Sequence, residues 1–174
     1  NNATLAVVGD FDPAQAKTWI KKYFSDLPQG QNIVRPTVPA AKLEASKRLV
    51  YEDRVQVPRL YIQWPTVGTR QDDNLAMMSL ILTGSRTARL TKALVYDSQL
   101  ASQVFAFPNS AEDVGVFQIV VVPRPEHSLT ELEAAVDQVL QKFISEGPTA
   151  DELQRAKSGL ELNFLRGLES NLGK

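Results

Sequence analysis

A single histidine, His127, and a complete absence of cysteine set the first limit on chemistry in this 174-residue sequence. A catalytic zinc takes about three protein ligands, usually including two histidines or cysteines. One imidazole cannot meet that need, and the H-x-x-E-H helix motif cannot be written with it. His127 lies between Glu126 and Ser128, just outside a predicted helix, and reads as a solvent-facing ring rather than a ligand. A Ser-His-Asp arrangement would also have to use His127, and no Gly-x-Ser-x-Gly elbow accompanies it. Disulfides and thiolate chemistry are excluded outright.

Other residues that could carry chemistry have plainer explanations. Thr83-Gly84-Ser85-Arg86 looks superficially like an anion-binding loop before a helix. It lacks both the Gly-x-Gly-x-x-Gly and the Gly-Lys-Ser/Thr forms, so a helix break capped by Ser85 or Thr87 is the reading. Val7-Val8-Gly9-Asp10 could present Asp10 to a metal or nucleotide, but no second carboxylate stands at a useful spacing. Asp72-Asp73 and Glu131/Glu133 fall at helix N-termini, where acids complement the dipole. Arg54, Arg59, Arg70, Arg86 and Arg89 are dispersed among acids, a solvated surface rather than a nucleic-acid stripe. No residue is singled out as catalytic, metal-ligating or cofactor-binding.

The elements around these residues follow from periodicity. Thr4–Val8 predicts a buried strand, and Asp12-Pro13 then opens a helix whose apolar face is Ala16, Trp19, Ile20, Tyr23 and Phe24. A Pro-containing crossing, Arg35 to Pro39, follows. Arg48–Val55 and Arg59–Trp64 predict two strands pairing as a hairpin across Val57-Pro58. Gln71-Asp72-Asp73-Asn74 caps a helix through Leu75, Met78 and Leu82, and a second helix runs from Thr87 to about Tyr96. Ala101–Phe107 and Val116–Val122 predict strands joined by the polar stretch Asn109–Gly115. Two capping boxes, Ser128/Glu131 and Thr149/Glu152, open the last two helices, with Gly147-Pro148 between them. The order β-α-β-β-α-α-β-β-α-α predicts an α+β fold: two layers, a largely antiparallel sheet with helices packed on one face.

Length predicts one domain spanning residues 1–174, at roughly 100–200 residues per domain. Hydrophobic content of 43%, charged content of 22% and a net charge of −1 give no reason to expect nucleic acid or an anionic membrane as a partner. No apolar run approaches the ~20 residues of a bilayer span. The chain opens without an initiator Met or signal peptide and closes at Gly173-Lys174, so both ends read as cuts in a longer polypeptide.

Three stretches together resemble one family. Asn2-Ala3-Thr4-Leu5-Ala6-Val7-Val8-Gly9-Asp10-Phe11-Asp12, with Lys22-Tyr23-Phe24 and Leu27-Pro28, is similar to the start of the second domain of pitrilysin/insulinase-type zinc peptidases. Ala88-Arg89-Leu90 through Leu100-Ala101 resembles that family's Ser-Arg-Leu helix. Gly147-Pro148-Thr149 with Glu152-Leu153 and Ala156-Lys157 is similar to its late Gly-Pro-Thr, Glu-Leu and Ala-Lys pattern. The resemblance covers nearly the whole chain in order, and it implies a metallohydrolase-like domain of the pitrilysin/mitochondrial processing peptidase type.

What the resemblance implies is a non-catalytic, "inactive" domain. Its zinc, the H-x-x-E-H and a distal glutamate would lie in an upstream catalytic domain of the same chain. Two such halves, or a partner subunit, would enclose a chamber for peptide substrate. In the other half the corresponding domain supplies an arginine and a tyrosine seven residues apart that hold substrate. Arg89 and Tyr96 share that spacing, yet anchoring on Arg89-Leu90 and Leu100-Ala101 places the pair at Val95 and Ser102, where neither residue type is retained. Arg89 and Tyr96 therefore read as ordinary helix residues, and the fragment as part of the zinc-bearing half of a metalloendopeptidase. The bacterial cell envelope is the compartment the resemblance suggests. Two other readings stand beside it: a zinc-less assembly or substrate-binding subunit of the processing-peptidase or respiratory-complex-core type, and a nucleotide-binding module around Val8-Gly9-Asp10.

Overall fold

Helix ends in this chain are set by side chains that satisfy the first free amides. A computed structural model describes residues 3–28, 30–34, 38–39, 41–68 and 74–169. Asp12 accepts from the amides of Ala14 and Gln15, with Pro13 at the first helical position, and α1 runs Pro13–Phe24. Ser128 accepts from the Glu131 amide to open α3, Leu129–Glu146. At α4, Ala150–Gly167, the box is reciprocal: the Thr149 amide donates to Glu152 at 2.8 Å and the Glu152 amide to Thr149 Oγ1 at 3.2 Å. At α3 it is half made, because the Glu131 carboxylate turns instead to His127 Nδ1 at 3.1 Å.

The remaining elements are β1 (Leu60–Val67), α2 (Asn74–Thr83), a π-helix (Thr91–Asp97), β2 (Ala101–Ser110) and β3 (Val114–Pro123). The strands form one antiparallel sheet in the order β1-β3-β2. Its register brings Ile62, Ile119 and Ala106 abreast on one face and Tyr61, Val120 and Phe105 on the other. The first face builds the core, where Val104, Ala106, Phe117, Ile119 and Val121 meet Leu82, Leu90, Leu94, Leu132 and Val136. Helices lie on that face, as the two-layer expectation requires. On the opposite face Tyr61, Phe105 and Phe107 remain 53%, 48% and 40% exposed.

Both ends of the sheet are fitted closely. The Ala106 amide on the outer edge of β2 donates to Thr83 Oγ1 at 3.0 Å, so α2 satisfies a group that an edge strand would otherwise leave open. Past the end of β1, a Cβ at Gly68 would lie 2.3 Å from the Glu112 carbonyl oxygen, which is why no larger residue fits there. At the end of α3, Gly147 adopts φ +70°, a backbone state that side chains resist, and stops the helix.

Four expectations change. Thr4–Val8 joins no ladder among the described residues, and Leu5, Val7 and Val8 are exposed. Arg48–Val55 likewise forms no strand, with Leu49, Val50 and Tyr51 exposed, so the partner of β1 is β3 rather than a preceding hairpin arm. The reason is general: an apolar run marks where a strand can form, but the ladder needs a neighbour in register. α1 buries no side chain completely; Ala16 and Ile20 are half-buried while Trp19, Tyr23 and Phe24 are exposed. The helix expected from Thr87 widens into π geometry, its Ser98 amide reaching back five residues to the Ala93 carbonyl. The expected cap residues Gln71 to Asp73, together with Arg70 and Arg35 to Thr37, lie outside the described residues.

By internal contacts the chain divides into two units, Asn1–Thr37 with Leu162–Lys174, and Val38–Glu161. The second holds the sheet, α2, the π-helix and α3.

Candidate functional site

The most elaborate polar arrangement in the second unit centres on Arg89, just ahead of the π-helix. Arg89 Nε and Nη2 each lie 2.8 Å from one Glu152 carboxylate oxygen, a fork-to-fork pair. Nη2 also donates to the Gly147 carbonyl at 2.7 Å, and the guanidinium stands 5.0 Å above the Phe143 ring. The left-handed backbone at Gly147 turns that carbonyl to the arginine. The side chains are only 14% and 16% exposed, so the pair is poorly screened by water. The bond from Arg89, assisted by the Thr149 amide, holds the Glu152 carboxyl well below the usual range, at about 2. Glu152 in return raises the Arg89 pKa. The arrangement ties the π-helix, the end of α3 and the start of α4 together. It offers no nucleophile, no base at neutral pH and no open coordination position, so what it can do is hold structure.

The residues expected to be chemically silent are scattered. His127 is paired with Glu131 near the start of α3, its side chain 29% exposed. Asp10 is exposed in the first unit, and Ser85 and Thr87 hydrogen-bond to one another at 3.2 Å. A narrow cleft of about 90 Å³ beside them has an apolar side of Leu80, Ile81, Ala88 and Ala156 and a polar side where Arg155 and Glu152 stand with Ser85 and Thr87. Among the described residues, no three His, Asp or Glu side chains converge where they could hold a metal ion. Also among the described residues, no helix is long and apolar enough to cross a membrane.

Val95 and Ser102, the two positions where the resemblance would set an arginine and a tyrosine, have other surroundings. Val95 sits in the π-helix, half-buried against the core. Ser102 is the extra residue at the β2 register shift between Ala101 and Gln103, and its hydroxyl donates to the Val122 carbonyl at 3.2 Å. Neither can grip a peptide as a cation and a phenol would. Arg89 is committed to Glu152 and Gly147, while Tyr96 is exposed at the surface. Sequence spacing did not reveal the Arg89–Glu152 clamp, because its partners are 63 positions apart. Its one local signal was the Thr149/Glu152 box, which fixes where the Glu152 carboxylate points.

The sequence matches the model of the peptidase M16 inactive domain over residues 1–160. The chain belongs to the M16 inactive-domain family. Among curated proteins, the zinc protease PqqE of Helicobacter pylori is 24% identical over 178 residues, covering 98% of this chain. The chain spans 39% of that relative's length. A solved structure of a Helicobacter pylori protease superposes with a TM-score of 0.75 at 23% identity, over 95% of this chain and 41% of that one. The first half of the periplasmic protease PqqL of Escherichia coli gives 0.60 at 19% identity, over 95% of this chain and 37% of that one. The inactive peptidase domain of a Bordetella parapertussis zinc protease gives 0.53 at 21% identity, over 66% of this chain and 64% of that one. At these identities the structures speak for the fold alone, and the M16 inactive domain is an α+β fold with an antiparallel three-stranded sheet in this chain. In a domain of this kind the zinc belongs to a catalytic domain elsewhere.

Proposed function

We propose that this M16 inactive domain serves a zinc metalloendopeptidase, packing on the catalytic domain and forming part of the wall of a peptide-binding chamber. The observation that carries the reading is the family match over residues 1–160 in a chain whose described residues converge no metal ligands. Support for placing it in the zinc-bearing half is the pair Val95 and Ser102, which replaces the substrate-holding arginine and tyrosine of the opposite half. The H-x-x-E-H is then expected about one domain upstream of Asn1. The cell envelope is the proposed compartment. A zinc-less assembly or substrate-binding subunit is the alternative, because loss of the arginine and tyrosine suits a parent that has abandoned hydrolysis too.

Two measurements on the parent protein separate these readings. Upstream sequence with H-x-x-E-H, one zinc per parent and chelator-sensitive peptide hydrolysis support the peptidase. A parent lacking those ligands and that metal is the assembly subunit. For the chamber wall, a peptide carrying a photoreactive side chain should crosslink to this domain as well as to the catalytic one. Crosslinks confined to other domains would remove the wall from the proposal.

A further inference from the structure

At the exit of the π-helix the chain makes a polar, open cavity of about 520 Å³, with Gln99, Arg124 and His127 on its wall. Arg124 is firmly placed. Its amide donates to the Leu100 carbonyl at 2.9 Å and its carbonyl accepts from the His127 amide at 3.1 Å. Its Nη1 donates to Gln99 Oε1 at 3.0 Å. No carboxylate pairs with it among the described residues: Lys92 takes Asp97, and Glu131 faces His127. Gln99, though not a glycine, adopts a positive φ of +56°, a conformation the surrounding structure must enforce. Its side chain fixes one edge of the guanidinium and leaves the other N–H groups of the fork unassigned. His127 Nδ1 is held by Glu131, which leaves Nε2 for another partner.

We propose that this cavity binds a peptide carboxylate, received by the free N–H groups of Arg124 with His127 beside it. The proposal rests on the peptide-chamber reading and deepens it by naming the group recognised. A guanidinium pre-set on one side, facing a cavity and lacking an acidic partner, is the arrangement that accepts a carboxylate in two parallel hydrogen bonds. Two acids also line the cavity: Asp97, which is paired with Lys92, and Glu126, which is exposed and has no cation paired with it among the described residues. Glu126 opposes an anion, and its neutralisation should strengthen binding.

The test is calorimetric titration of the full parent protein with three acetylated tripeptides. One has a free C-terminal acid, one a C-terminal amide, and one a C-terminal amide with an internal glutamate. The free acid should bind about tenfold or more tightly than the amide, the scale of one charge-assisted bond. Arg124→Gln should abolish that preference and Glu126→Gln should increase it. Gln99→Gly relieves the left-handed backbone, so it should raise the melting temperature while weakening the acid several-fold, a combination that loss of fold cannot produce. If the glutamate amide matches the free acid, the carboxylate recognised is a side chain. Equal binding of acid and plain amide with no response to the glutamate, or a preference that survives Arg124→Gln, overturns the proposal. Such a result leaves the peptidase reading standing, since that depends on zinc and hydrolysis upstream. A parent without hydrolysis but with the acid preference would sink the peptidase and keep the cavity.

Discussion

Arg89 and Glu152 make the strongest demand of any single ion pair among the described residues, since each would be a poorly solvated charge without the other. Arg89→Ala strands the Glu152 carboxylate near the Gly147 carbonyl, and the loss should be about 2–3 kcal/mol by chemical denaturation. Glu152 also makes the pair sensitive to acid. Its folded pKa lies below its ordinary value of 4.5, at about 2, so its contribution is complete above pH 4.5 and disappears as pH falls through 2. Glu152→Gln should therefore cost about 2 kcal/mol at neutral pH, and the gap from wild type should close between pH 4.5 and 2. A gap that stays constant across that range would mean that the geometry, rather than the charge, matters. Gly147→Ala should add a comparable loss, because φ +70° excludes a side chain and the same carbonyl receives Arg89.

Elements in this fold are fixed at their ends more clearly than along their lengths. Thr149→Ala removes the reciprocal capping box of α4 and should cost about 1 kcal/mol, whereas Ser128→Ala loses a single bond to Glu131 and should cost less. Gly68→Ala has no room for its methyl group against the Glu112 and Asp113 backbone, and should disrupt the β1–β3 end enough to lower soluble yield. These ends were legible in the sequence: Asp12-Pro13, Ser128/Glu131, Thr149/Glu152 and Gly147-Pro148 all open or stop helices where expected. β2 and β3 were legible too, since Val104/Ala106 and Ile119/Val121 alternate with outward residues. What sequence could not supply was pairing. Thr4–Val8 and Arg48–Val55 have strand composition, but composition names no partner, and neither enters a ladder among the described residues. The π geometry after Leu90 escaped for a related reason, because five-residue bonding leaves no mark in a short apolar pattern.

At the scale of the whole molecule, function was legible mainly as an exclusion and a likeness. One histidine and no cysteine argued against a self-contained hydrolytic metal centre, and three spaced motifs pointed to the family that the match over residues 1–160 establishes. The Arg89–Glu152 clamp and the Gln99–Arg124 contact were not legible, because both depend on residues brought together by the sheet and the π-helix. The open sheet face with Tyr61, Phe105 and Phe107 belongs to the same level: its alternation is in the sequence, its exposure only in the fold. The central claim is that catalysis resides in a neighbouring domain, and the direct measurement is zinc content and peptide hydrolysis of the purified chain beside its parent. The account predicts zinc and chelator-sensitive cleavage in the parent, and neither in the chain alone. Stoichiometric zinc with chelator-sensitive cleavage by the chain alone would contradict it.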